Sequence, residues 1–107
     1  MPDSKRYHQP MRLSENQRNL LQDTIHRHFG ADAVTYIFGS RLDDSARGGD
    51  MDVFVETPIS ADYRLRARAL AQLEALLALP VDLIVKDAED RERSIHRIAR
   101  LSGKRLS

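Results

Sequence analysis

Ile37-Phe38-Gly39-Ser40-Arg41 and, after nine residues (41–49) beyond Ser40, Asp50-Met51-Asp52-Val53-Phe54-Val55 are the stretches that decide the fold of this chain. Val34-Thr35-Tyr36-Ile37-Phe38 is β-branched and aromatic, which predicts a strand. Gly39 to Gly49 is polar and holds three glycines, so it reads as a loop, or a loop with one helical turn. Met51 to Val55 is a second strand. The strand period of two sets Asp50 and Asp52 on one face and turns Met51, Val53 and Val55 to the other, into a core.

Working outward, Ser14-Glu15-Asn16-Gln17 fits a capping box. Leu20, Leu21, Ile25 and Phe29 follow near the helical period, and Gly30 is a stop, which predicts a helix over 15–29. Downstream, Ser60 caps a helix over 61–78 with Leu65, Leu70, Leu73, Leu76 and Leu77 apolar, closed off by Pro80. Val81-Asp82-Leu83-Ile84-Val85 is a third strand. Residues 88–102 read as a last helix with Ile95, Ile98 and Ala99 on its inner face and His96 at the surface. Residues 1–12 are polar, carry Pro2 and Pro10, and read as a loose arm before one domain at 13–107. The order α-β-β-α-β-α predicts an α+β fold with helices layered on a small sheet.

Composition narrows the function classes. The chain has 107 residues, 41% hydrophobic and 31% charged, which suits one globular domain with a modest core. A net charge of +1 and 6% aromatic residues argue against a nucleic-acid binder. No apolar run approaches the roughly 18 residues of a membrane span, and the N-terminus is not a signal peptide. The chain contains no cysteine, which excludes disulfides, zinc-thiolate sites and thiol nucleophiles, with the cytoplasm as the expected compartment.

Carboxylates stand where strands are usually apolar. Asp82 interrupts the third strand, and Val81 and Leu83 face away from it. If the second and third strands are neighbours, Asp50, Asp52 and Asp82 converge, and a cation that prefers oxygen ligands, Mg²⁺ or Mn²⁺, relieves their repulsion. The Gly39-Ser40 turn allows close backbone approach to a bulky anion, with the Ser40 hydroxyl and amide as donors. Arg41 and Arg47 can add charge-assisted donors to phosphate. The layout suits a nucleoside triphosphate held beside its metal. His26 and His28 sit two apart on a helix, about 200° around it, and do not converge on a metal. The leucine stripe is core, and the arginines at 64, 66, 68, 91, 93, 97 and 100 read first as solvated helix faces.

These motifs resemble the signature of the polymerase-β-like nucleotidyltransferases, and most closely their smallest bacterial and archaeal members, the minimal nucleotidyltransferases. The resemblance covers about residues 13–103. It implies a mixed sheet, Mg²⁺ at Asp50 and Asp52, phosphate contacts at Gly39 and Ser40, and Asp82 as the third carboxylate, helping to deprotonate the acceptor hydroxyl. Gly49 stands where many relatives carry Ser, and Ala46-Arg47-Gly48 comes later than the similar family tripeptide, which leaves the role of Arg47 open. The activity implied is transfer of NMP from ATP or another NTP to a hydroxyl, with release of pyrophosphate. Similar minimal members act with a helical partner of the HEPN type in toxin–antitoxin pairs, where the nucleotidyltransferase is the antitoxin. Two alternatives stay open: an antitoxin that works by occlusion without catalysis, and a small-molecule transferase of the aminoglycoside type, whose acceptor pocket would need a homodimer or a partner. Arg93, Arg97 and Arg100 are the expected docking residues.

Overall fold

The computed structural model describes residues 14–38 and 51–106. The arm at 1–12 and the loop with Gly39, Ser40, Arg41, Arg47 and Asp50 lie outside the described residues.

Helix α1 (Glu15–Phe29) starts as its sequence requires. The Ser14 hydroxyl accepts from the Gln17 amide at 3.0 Å, and the Gln17 side chain accepts from the Ser14 amide at 3.0 Å. These reciprocal bonds satisfy donors that the first turn would leave orphaned. Glu15 at the start and His26, Arg27 and His28 at the end suit the helix dipole. Gly30 stops the helix at φ +99°, a conformation that favours glycine. The buried stripe is Leu21, Thr24, Ile25 and Phe29; Leu20 stays exposed, and Thr24 enters the core because its hydroxyl donates to the Leu20 carbonyl at 2.8 Å.

Strand β1 (Val34–Phe38) pairs antiparallel with β2 (Met51–Glu56), and β2 pairs parallel with β3 (Val81–Lys86). A parallel pair needs a long crossover, which helix α2 (Tyr63–Leu77) supplies. After helix α3 (Ser94–Ser102) the chain adds β4 (Lys104–Arg105), antiparallel to β1, so the mixed sheet has the order β3-β2-β1-β4. Ile37, Met51, Val53, Val55, Val81 and Val85 form one sheet face with α1 and α2 packed on it. Phe54, also fully buried, belongs to the other face, under α3.

Several element ends differ from the sequence expectation. Asp62, not Ser60, caps α2: its carboxylate accepts from the Leu65 amide at 2.9 Å, while the Ser60 hydroxyl donates to Glu89. Leu76 lies off the buried stripe at 37% exposure. The last helix starts at Ser94, not 88. Asp87 accepts from the Glu89 amide and Asp90 from the Asp87 amide, both at 2.9 Å, and these local bonds hold the chain in a turn instead of a helix. In α3 the buried residues are His96 and Ala99, whereas Ile95 and Ile98 face outward.

Helix α2 ends at Ala78, which has φ 57° and ψ 38°, the left-handed conformation, without being glycine. The methyl group makes that conformation costly by roughly 1 kcal/mol. Ala78→Gly should therefore stabilise the protein by about 0.5–1 kcal/mol in urea unfolding, the gain being limited by the greater freedom of an unfolded glycine. A loss of stability would show that Ala78 is unstrained.

Candidate active site

The register places Asp52 of β2 directly beside Asp82 of β3, and Phe38 of β1 on the other side of Asp52. Paired residues of neighbouring strands point to the same face, about 4.8 Å apart along the sheet. The two carboxylates share the α3 face, because Asp52 and Phe54 are two apart on β2 and Phe54 stacks under α3. Asp52 is half-buried and Asp82 exposed. Among the described residues Asp82 has no basic partner.

Helix α3 covers the next two rows of the same face. His96 stacks on Phe54 with centroids 5.6 Å apart and planes 15° from parallel, and Tyr36 lies against Phe54 at 5.7 Å. The Arg100 guanidinium sits 5.9 Å from the same ring centroid. Arg100 also grips Glu56 through Nε and Nη2, at 3.1 and 2.8 Å, and Glu92 through Nη1 and Nη2, each at 3.0 Å. Hydrogen bonding to Glu92 and then Glu56 holds the Arg100 guanidinium above its ordinary pKa. It is therefore a clamp between α3 and β2.

The carboxylate end of the sheet is tied down by backbone bonds. The Met51 amide donates to the Pro80 carbonyl at 3.0 Å, and the Val81 amide to Glu74 of α2 at 2.9 Å. The starts of β2 and β3 are thereby held together just before Asp52 and Asp82. At the opposite end, Asp87 accepts from the Ala61 amide at 2.7 Å, and Arg66 reaches Asp87 and Asp90 at 3.2 Å each. Arg66 also donates to the carbonyls of Ala61 and Val85, so this residue, read in the sequence as a solvated face, locks α2 onto β3.

Among the described residues three groups bear on the response to acid: His96, Asp87 and Glu92, whose carboxyl a hydrogen bond from Arg100 holds below its ordinary value. Burial pushes the His96 imidazole down, as do Arg93 and Lys86, against the opposite pull of Glu92 and Asp90. Its Nδ1 accepts from the Arg93 amide at 3.1 Å, which places the proton of the neutral ring on Nε2. Burial pushes Asp87 up, but the Ala61 and Glu89 amides and Arg66 outweigh it, and its carboxyl lies below the ordinary value. A depressed histidine leaves the unfolded chain with more protons below about pH 6.5, so stability falls as the pH drops from there. A depressed aspartate contributes stability above about pH 4 that is lost as the pH falls through its folded value. Stability should thus decline in two acid limbs; His96→Gln should flatten the first and Asp87→Asn should lessen the second, to which Glu92 also contributes, as read by urea midpoints across pH. Unchanged limbs in both variants would assign them to other groups.

Mg²⁺ and Mn²⁺ prefer hard oxygen ligands, and two adjacent carboxylates on neighbouring strands are a fitting part of such a set. Among the described residues no cluster of three or more metal-ligating side chains forms. Asp50, which would join Asp52 and Asp82, lies outside them. The phosphate-binding expectations at Gly39, Ser40, Arg41 and Arg47 lie outside them too. Sequence reasoning missed the Tyr36–Phe54–His96 stack; its signal was the aromatic Phe54 two positions after Asp52, on the face assigned to the carboxylates.

The sequence model of the nucleotidyltransferase domain family matches residues 18–105, and the chain belongs to that family. Its fold is that of minimal nucleotidyltransferases with known structures. It resembles a toxin–antitoxin structure with AMP-PNP at 25% identity, with a TM-score of 0.67 over 89% of this chain and 72% of that one. The toxin–antitoxin MntA–HepT matches at 20% identity and TM-score 0.66, over 88% and 72%. A complex of a tri-AMPylated Shewanella oneidensis HEPN toxin with an MNT antitoxin matches at 21% and 0.58, over 84% and 71%. No curated protein matches the chain in sequence. Among the described residues no helix is long and apolar enough to cross a membrane.

Proposed function

We propose that this nucleotidyltransferase moves AMP from Mg·ATP to a side-chain hydroxyl of a separate helical protein of the HEPN type, as the antitoxin of a toxin–antitoxin pair in the cytoplasm. The observation that carries the reading is the side-by-side register of Asp52 and Asp82 on the α3 face. Support for the acceptor comes from the AMPylated toxin in one structural neighbour and for the nucleotide from AMP-PNP in another.

In this reading Asp50, Asp52 and Asp82 hold one or two Mg²⁺ ions, and Gly39, Ser40, Arg41 and Arg47 receive the triphosphate. Bound Mg²⁺ neutralises phosphate charge and the charge that develops during transfer. Asp82, on the exposed side of the pair, accepts the proton of the acceptor hydroxyl. The acceptor oxygen bonds to the α-phosphorus as the bond to the β-phosphate oxygen breaks, and pyrophosphate leaves. Positioning and electrostatics provide most of the acceleration in such a transfer.

Incubating the protein with Mg·ATP and the helical product of its neighbouring gene should add one or more AMP units to that product by intact mass, and Asp50→Ala should abolish the gain. A neighbour left unmodified by every NTP yet still inhibited would replace catalysis by occlusion. Absence of both binding and reaction would move a small-molecule acceptor forward.

A further inference from the structure

Ile95, Ile98 and Leu101 are exposed at 40%, 55% and 80%. Their spacing of three lines them up along one side of α3. The other side buries His96 and Ala99 against the sheet, and Arg100 clamps the helix to Glu56, so the helix cannot roll to hide the stripe. Arg91, Arg93 and Arg97 are exposed around it. Among the described residues Arg91 and Arg97 have no acidic partner, and Glu92, the one acidic residue in 91–106, is held by Arg100.

An apolar centre with a cationic rim is the anatomy of a protein-binding patch. We propose that this face of α3 docks an acidic amphipathic helix of a separate protein. Charge selects that occupant. A second copy would bring two cationic rims together, whereas a helix with Asp or Glu beside its apolar face complements the rim. Apolar side chains repeating every three to four residues are also what a helical ligand offers to such a stripe. Because α3 and the carboxylates share one sheet face, the docked helix lies beside Asp52 and Asp82. That last placement rests on the proposed transfer reading and gives its acceptor a route to the site.

The probe is a labelled designed helix of about 20 residues, with Leu along one face and Glu flanking it, titrated by anisotropy against the full chain. Leu101→Asp and Ile98→Asp should each weaken binding about tenfold or more. Arg97→Glu should weaken the Glu-flanked helix and favour a Lys-flanked version. The thermal midpoint and Mg·ATP affinity of all three variants should match wild type, so a loss of docking is not a loss of fold. Equal binding of a scrambled helix, or unchanged affinity in Leu101→Asp, would overturn the proposal. So would a wild-type dimer in sedimentation that Leu101→Asp dissolves, or binding to phosphatidylglycerol vesicles that the same variant abolishes. Docking without Mg·ATP binding would leave this surface standing while removing the transfer reading.

Discussion

Asp52→Asn should fold as the wild type and lose nucleotidyl transfer by about a thousandfold, equivalent to roughly 4 kcal/mol of transition-state stabilisation. The substitution keeps the shape of the side chain and removes its charge. Asp52 lies on the central strand β2, between Phe38 and Asp82, so the backbone around it is fixed on both sides. Nucleotide affinity should fall as well and lose its dependence on Mg²⁺, measured by calorimetry with and without the ion. Asp82→Asn should behave differently, keeping nucleotide binding while transfer is lost, because a group that takes the acceptor's proton acts in the transition state. Transfer within a few-fold of wild type in either variant would remove that residue from the machinery.

Phe54→Ala should destabilise the protein by about 3–5 kcal/mol, a large part of the total for a domain of this size. Phe54 is fully buried, and its ring contacts Tyr36, His96 and the Arg100 guanidinium. Its removal would leave a cavity between β2 and α3 that the clamped helix cannot follow inward. Urea unfolding with an unchanged slope would report the loss directly. A change below about 1 kcal/mol would mean that α3 can repack over the sheet.

Much of this architecture was legible in the residues. The capping box at Ser14, the stop at Gly30 and the β-branched runs at 34–38, 51–55 and 81–85 each have a local physical cause, and each element formed there. The alternation in β2 predicted that Met51, Val53 and Val55 would be buried, and they are. What failed depended on competition between distant groups. Ser60 and Asp62 are both able caps, and Ser60 was diverted by Glu89. In the nine-residue helix α3, hydrophobicity favoured Ile95 and Ile98 for the inner face, but a ring stack on Phe54 and the Arg100 clamp buried His96 and Ala99 instead. Strand β4 is two charged, exposed residues with no apolar pattern, and only its pairing with Tyr36 and Ile37 defines it. For the candidate site, the neighbouring of Asp52 and Asp82 was a condition stated from the strand pattern; the parallel β2–β3 register meets it.

The sheet order also sets how firmly the two carboxylates are held. Strand β2 is bonded on both sides, whereas β3 is an edge strand bonded only to β2 among the described residues. The amides of Val53, Phe54 and Val55 should exchange with solvent deuterium only through near-global opening. Alternate amides of β3 point away from the sheet and should exchange far sooner, through local fluctuations. Asp52 is thus mounted on the most slowly opening part of the molecule, and Asp82 on a strand that can separate from it while the rest stays folded.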